Sequence, residues 1–293
     1  MEQNTINFHC PEFNFGILFY EQLIDLENRH PEYFNPEARI GTIFGSFPNM
    51  IWNGGGILTG SYVSISDMER IRDFYYNLEI PLQLTLTNPL LTKEDCYDRY
   101  CNKVVEVFQN DLNMILVSSS ILEEYLREKY PNYKYCKSII ASEKDYNFEE
   151  ALNNYEYVVL PRRKCKDFDY LNTVKQENRS RLELLCNDPC PINCPRLYSH
   201  YRDFAKITLY EKDISDKSLT CSEIDSTCLR GIHHIDEQIL FKDIKEKYLP
   251  LGFTEFKLAG RGNFISAAAN VIKYFIKEEY QYEALVYFIT NNF

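Results

Sequence analysis

Residues 82–118 read LQLTLTNPLLTKEDCYDRYCNKVVEVFQNDLNMILVS, and the fold is decided here. An apolar, β-rich run from Leu82 to Thr87 precedes a helical pattern from Lys93 to Gln109, which gives way to a second run from Asn113 to Ser118. Runs of this kind read as short strands buried on both faces. A helix between two such strands makes them parallel neighbours joined by a right-handed crossover.

Outward from this segment the same unit recurs. Further runs lie at Ile6 to Cys10, Ile40 to Ser46, Cys136 to Ala141, Glu156 to Pro161, Arg181 to Cys186 and Phe253 to Ala259. Helical patterns separate them at Ile17 to Asn28, Ser66 to Asn77, Ser120 to Lys129 and Phe148 to Asn154. Within Ser118-Ser119-Ser120 one hydroxyl is expected to cap the following helix, with Glu123 completing a capping box after Ser120. Eight strands alternating with helices in 293 residues predict an α/β chain folded as a (β/α)8 TIM barrel. No Pro/Gly/Ser-rich linker divides the chain, so one domain over 1–293 is expected.

An open doubly wound sheet fits less well. Its first strand would lead into a glycine-rich phosphate loop, whereas the first run here ends in His9-Cys10-Pro11-Glu12. The Trp52-Asn53-Gly54-Gly55-Gly56 turn lacks G-x-G-x-x-G spacing and reads as a tight bend that walls a pocket. Between the seventh and eighth runs the starts lie 72 residues apart, against 20 to 42 elsewhere, which predicts an insertion at about 195–236. In a barrel that loop opens on the C-terminal face of the strands, where active sites are built, so the insertion is expected to lie over the mouth.

Composition narrows the partners. Thirty-two basic against forty-three acidic side chains give a net charge of -11, a field that disfavours nucleic acid and anionic lipid surfaces. The segment MEQNTINFHCPEFNFGILFY has no basic region ahead of a long apolar stretch, and no apolar run approaches the ~20 residues that cross a bilayer. A cytoplasmic protein that takes a small or medium organic substrate is the expectation.

In a reducing compartment the ten cysteines are packing groups, metal ligands or redox groups rather than disulfides. Cys10, Cys96, Cys101, Cys136 and Cys165 are scattered and read as core packing, although Cys10 ends the first strand and could face the mouth. The other five gather near the insertion: Cys186, Cys190 and Cys194 in LLCNDPCPINCPRLYSHY, then Cys221 and Cys228 in LTCSEIDSTCLRG. Pro189, Pro191 and Pro195 keep the first group out of a helix, so it must be an irregular loop able to aim several thiolates at one point. Short thiolate spacings of this kind serve an iron-sulfur cluster or zinc, and three clustered cysteines with a distant fourth lean toward the cluster.

The stretch Leu184-Leu185-Cys186-Asn187-Asp188-Pro189-Cys190-Pro191-Ile192-Asn193-Cys194-Pro195-Arg196, with His200 following, resembles the N-E-G-C-x-x-x-C-P-x-R-x-x-H signature of the collagenase-like peptidase U thirty-two family. Leu251-Gly252-Phe253-Thr254-Glu255-Phe256-Lys257-Leu258-Ala259-Gly260-Arg261 is similar to that family's closing G-[IV]-x-x-[FI]-K-[IL]-x-G-R element. Asp188-Pro189 stands where Glu-Gly is usual, and Cys186 where an aliphatic residue is usual. The resemblance implies a (β/α)8 barrel with a four-iron four-sulfur cluster, Cys190 and Cys194 matching the two signature cysteines and a later family cysteine falling near Cys221 or Cys228; if Cys186 is the last strand residue rather than an added ligand, the set is Cys190, Cys194, Cys221 and Cys228. It also implies oxygen-independent hydroxylation or related redox chemistry, which would bring in an electron-transfer partner. Peptidase activity is implied by the family label alone.

Polar residues at the predicted strand ends supply the remaining candidates. Arg261 could hold a carboxylate or phosphate bidentately, and Lys257 shares its strand. Asn88 is placed to read a polar substrate group, though Asn-Pro is equally a turn signal. His200 is the favoured histidine, because His233-His234 reads as a solvated pair. No H-E-x-x-H or G-x-S-x-G occurs. The leading expectation is an iron-sulfur barrel enzyme of oxidoreductase character; a barrel with structural zinc and a binding or scaffold role is the alternative.

Overall fold

Parallel pairing runs without interruption from the first strand to the eighth and closes back on the first. The computed structural model describes residues 5–13, 17–55, 60–141, 147–188, 192, 194, 196–210, 238–260 and 264–292. The strands are β1 (Ile6–Pro11), β2 (Ala38–Gly45), β3 (Leu82–Leu86), β4 (Met114–Val117), β5 (Lys134–Lys137), β6 (Tyr157–Val159), β7 (Leu182–Leu185) and β8 (Glu255–Lys257). Around them lie α1 (Leu18–Arg29), α2 (Ile65–Asn77), α3 (Arg99–Val107), α4 (Ser120–Lys129), α5 (Phe148–Ala151), α6 (Arg162–Cys165), α7 (Phe168–Thr173), α8 (Leu197–Tyr210), α9 (Phe241–Asp243), α10 (Phe264–Phe275) and α11 (Gln281–Asn292). This is a (β/α)8 barrel. Among the described residues no helix is long and apolar enough to cross a membrane.

Two of the expected elements shift for local reasons. The fifth strand is Lys134–Lys137, and the apolar Ile139-Ile140-Ala141 that suggested a later strand forms a 3-10 turn instead. Ser138 Oγ accepts the Ile140 N–H and starts that turn. The helix expected from Lys93 to Gln109 divides at Asp98, whose extended backbone and side chain cap α3 by accepting the Cys101 N–H. In the serine run the N-cap of α4 is Ser119 rather than Ser120, while Ser118 donates its hydroxyl to Thr87 O.

Strand side chains alternate between two different interiors. Outward-facing Phe8, Ile43, Leu84, Ile115, Val158, Leu184 and Phe256 join the main hydrophobic layer under the helices. Inside the barrel, Met114, Leu116, Cys136 and Val159 form a separate apolar cluster contributed by β4, β5 and β6. Inward positions on β7, β8, β1, β2 and β3 include His9, Thr42, Phe44, Gln83, Thr85, Glu183, Glu255 and Lys257, all buried. A barrel interior is ordinarily packed with branched apolar side chains. Here one side of it carries four ionisable side chains.

The loops at the strand ends are braced against one another. A Cβ on Gly54 would stand 2.5 Å from Thr87 O and 2.6 Å from Asn88 Cα, so the turn after β2 lies directly on the end of β3. Backbone at that distance cannot yield as a flexible side chain would. Gly54→Ala is expected to lower stability by about 1–3 kcal/mol through overpacking; an unchanged urea midpoint would show that the two loops are not in register contact.

Candidate active site at the barrel mouth

Lys257 leaves β8 pointing inward, and its Nζ donates to Glu183 Oε2 and to Gln83 Oε1, each at 3.0 Å. Gln83 Nε2 in turn reaches Glu183 Oε1 at 3.4 Å, closing a triangle across β3, β7 and β8. Beneath the ammonium lies the Phe44 ring, 4.1 Å away at its centroid. His9 sits next in line. Its Nδ1 is 2.8 Å from Thr42 Oγ1 and 3.6 Å from Glu183 Oε1, and its Nε2 is 3.1 Å from Glu255 Oε2. Asn7 Nδ2 and the Thr254 hydroxyl complete the Glu255 shell, each at 2.8 Å from Oε1.

Glu183 is fully buried, and desolvation acts to raise its carboxyl pKa. The charges of His9 and Lys257, with hydrogen bonds from Lys257 and Gln83, outweigh that effect and hold it below the ordinary glutamate value. Thr42, His9 and Glu255 also form a hydroxyl–imidazole–carboxylate line of the kind hydrolases use. Thr42 and His9 are 1% and 0% exposed, and neither lines the mouth cavity, so that hydroxyl is closed off from it.

Above the ion network, at the C-terminal ends of the strands, lies a cavity of about 40 Å³. Lys257, Thr85, Thr87 and Ser138 give it a polar side; Leu116 and Val159 give it an apolar one. Tyr201 of α8 forms part of its wall, which puts the helix after β7 against the mouth. The rim is clipped by side chains that bond backbone. Asn88 donates to Ile51 O (2.8 Å) and Ala205 O (3.3 Å) and accepts from Leu90 N (2.9 Å), tying together the β2 loop, α8 and the β3 end. Asn187 accepts from Ala259 N (2.7 Å) and donates to Ala259 O, which holds the ends of β7 and β8 in step. Glu12, just past β1, adopts φ 73, a left-handed conformation rarely taken by a non-glycine residue.

Of the residues singled out from the sequence, Lys257 is in the cavity wall and in the ion network. Asn88 is at the rim, with its amide hydrogens committed to backbone carbonyls. His200 stacks on Phe204 at 4.4 Å, one position from Tyr201 on α8, and is absent from the cavity lining. Cys186 faces away from the mouth into the layer under the helices, where its Sγ bonds Leu184 O and burial pushes its thiol well up. Cys10 is likewise turned outward, because its neighbour His9 takes the inward position. Cys96, Cys101 and Cys165 are buried in the same layer and Cys136 inside the barrel, as packing predicts. Cys194 is half-buried in the loop between β7 and α8. Cys190, Cys221, Cys228 and Arg261, with most of the 195–236 insertion, lie outside the described residues. Among the described residues no group of three or more His, Cys, Asp or Glu side chains is arranged to hold a metal ion.

Reading strand ends missed His9, Gln83, Glu183, Glu255 and Tyr201. A signal existed for two of them. Glu183 in RLELLC and Glu255 in FTEFKLA are acidic residues inside apolar runs, and Glu255 shares the parity of Lys257 two positions on.

No protein-family model matches the sequence. No curated protein matches it. Among solved structures, the chain is similar to one described as "The Structure of the U32 Peptidase Mk0906", at 11% identity and a TM-score of 0.49, over 90% of this chain and 95% of that one. The likeness is one of fold, at an identity too low to carry residues across.

The ion network yields a stability test. Removing one partner of a buried pair leaves an uncompensated charge, so Lys257→Met is expected to cost about 3–5 kcal/mol. Adding Glu183→Leu should recover much of that loss in urea unfolding. A double variant no more stable than the single one would contradict the pairing.

Proposed function

We propose that the chain is a barrel enzyme acting at its mouth on a small or medium organic substrate, with redox chemistry supplied by an iron-sulfur cluster on the loop thiols. The reading is carried by the buried set Lys257, Glu183, Gln83, His9 and Glu255, which leads up to the mouth cavity. Burying ions costs several kcal/mol each, and an apolar filling of similar volume is often as stable or more so. The β4–β6 half of this interior uses that apolar filling. Ionisable side chains beside it, placed under the face where barrel enzymes work, are what an active site requires and a scaffold does not.

The chain's own residues have separable tasks in this reading. Lys257 presents a cation to the cavity, held in place by Glu183 and Gln83. His9 and Glu255 sit behind them and brace Glu183, out of reach of substrate. Tyr201 and the helix that carries it shield the cavity from water. For the cluster, the donor set is Cys190, Cys194, Cys221 and Cys228. Cys194 fits, being half-buried on the loop that leaves the C-terminal end of β7. Cys186 does not fit, because its thiol is buried on the other side of the strand. A cluster held there would exchange single electrons with the site.

Anaerobic purification followed by iron, sulfide and zinc analysis and visible absorption tests the reading. Cys190→Ala and Cys194→Ala are expected to lose iron and colour, while Cys186→Ala keeps both and loses only stability. A colourless wild-type protein with stoichiometric zinc would replace the cluster by a structural site and favour a binding role.

A further inference from the structure

We propose that the mouth cavity is a subsite for a carboxylate, bound by Lys257 Nζ, Thr87 Oγ1 and Ser138 Oγ. The proposal names the substrate class of the site described above and takes from that reading only the site's position.

Thr87 carries the argument. It is 1% exposed and lines the cavity, yet its hydroxyl has no hydrogen-bond partner among the described residues. A buried hydroxyl left unpaired is costly, so one borne by a residue of a cavity wall is a group that a guest in the cavity can satisfy. Its neighbours in the wall share its polarity. Ser138 Oγ already accepts from Ile140 N at 3.2 Å, which leaves its hydrogen to donate. Lys257 spends hydrogens on Gln83 and Glu183, and an ammonium has three. Each of these groups can still donate, and a group rich in acceptors satisfies all of them at once.

Size and shape sharpen the class. A volume of about 40 Å³ holds roughly three water-sized units, enough for a carboxylate and its first carbon. Leu116 and Val159 meet the carbon, while the hydroxyls and the ammonium meet the oxygens. Because Glu183 already shares the lysine charge, hydrogen bonding rather than net charge provides most of the recognition, and affinity for a minimal ligand is expected to be modest.

Sodium acetate is the probe, with sodium chloride at equal ionic strength and acetamide as controls, read by thermal unfolding of the whole protein. Acetate should raise the melting temperature beyond chloride, and acetamide should not. Thr87→Val, which keeps the side-chain shape, should be at least as stable as wild type without ligand, yet bind acetate about tenfold more weakly or worse. Ser46 provides the contrast: its hydroxyl is also buried and without a partner among the described residues, but it is not part of the cavity wall. Ser46→Ala should therefore retain the full acetate response. The proposal is overturned if acetate acts no better than chloride, if acetamide equals it, if Thr87→Val responds like wild type, or if Thr87→Val is markedly destabilised, since the hydroxyl would then have a native partner. Iron content measured on the same samples separates the two readings: iron-free protein that still selects acetate sinks the cluster and leaves the subsite standing.

Discussion

An ammonium and a carboxylate held 3.0 Å apart inside a closed barrel constrain everything around them. Neither Lys257 nor Glu183 has more than a trace of solvent contact, so each must be satisfied by the protein. Gln83 does this for both, donating to the glutamate and accepting from the lysine. His9 lies between the two carboxyl groups, its Nδ1 3.6 Å from Glu183 Oε1 and its Nε2 3.1 Å from Glu255 Oε2. The arrangement draws on β1, β3, β7 and β8, so its geometry depends on the register of half the barrel.

The mouth depends on that register in turn. Asn187 fixes the ends of β7 and β8, Asn88 fixes the β2 loop and α8 to the end of β3, and Gly54 lets the β2 turn settle on Thr87. These bonds run from side chain to backbone, the usual means of satisfying loop polar groups where no ladder exists. What they enclose is small and asymmetric: a lysine and hydroxyls on one side, branched apolar side chains on the other. The cavity wall and barrel closure therefore share residues.

The barrel was legible in the sequence because eight apolar runs alternate with helical patterns, a periodicity that few folds accommodate. Boundaries were less legible where side-chain chemistry overrode pattern, as when Ser138 turned an isoleucine pair into a 3-10 turn. At the site, Lys257 was found because it stands at a strand end. His9, Glu183 and Glu255 were hidden because their role comes from pairing across the barrel, between residues as much as 246 apart in sequence. Asn88 illustrates the reverse: a strand-end amide looks like a substrate reader until the carbonyls of Ile51 and Ala205 arrive from distant loops to occupy it. Cys186 adjoins the clustered cysteines in sequence, and strand parity alone turns it away from the mouth.

Positive charge inside the barrel holds the Glu183 carboxyl below its ordinary pKa despite complete burial. A depressed folded value means that its contribution to stability is fully present above the unfolded glutamate pKa of about 4.3 and is lost as the pH falls through the folded value below it. Carbon-13 NMR of the Glu183 side-chain carboxyl, followed as a function of pH in the folded protein, measures this directly. A carboxylate signal is expected to persist below the range where ordinary glutamates titrate; a carboxyl that takes up its proton at or above that range would contradict the ion network.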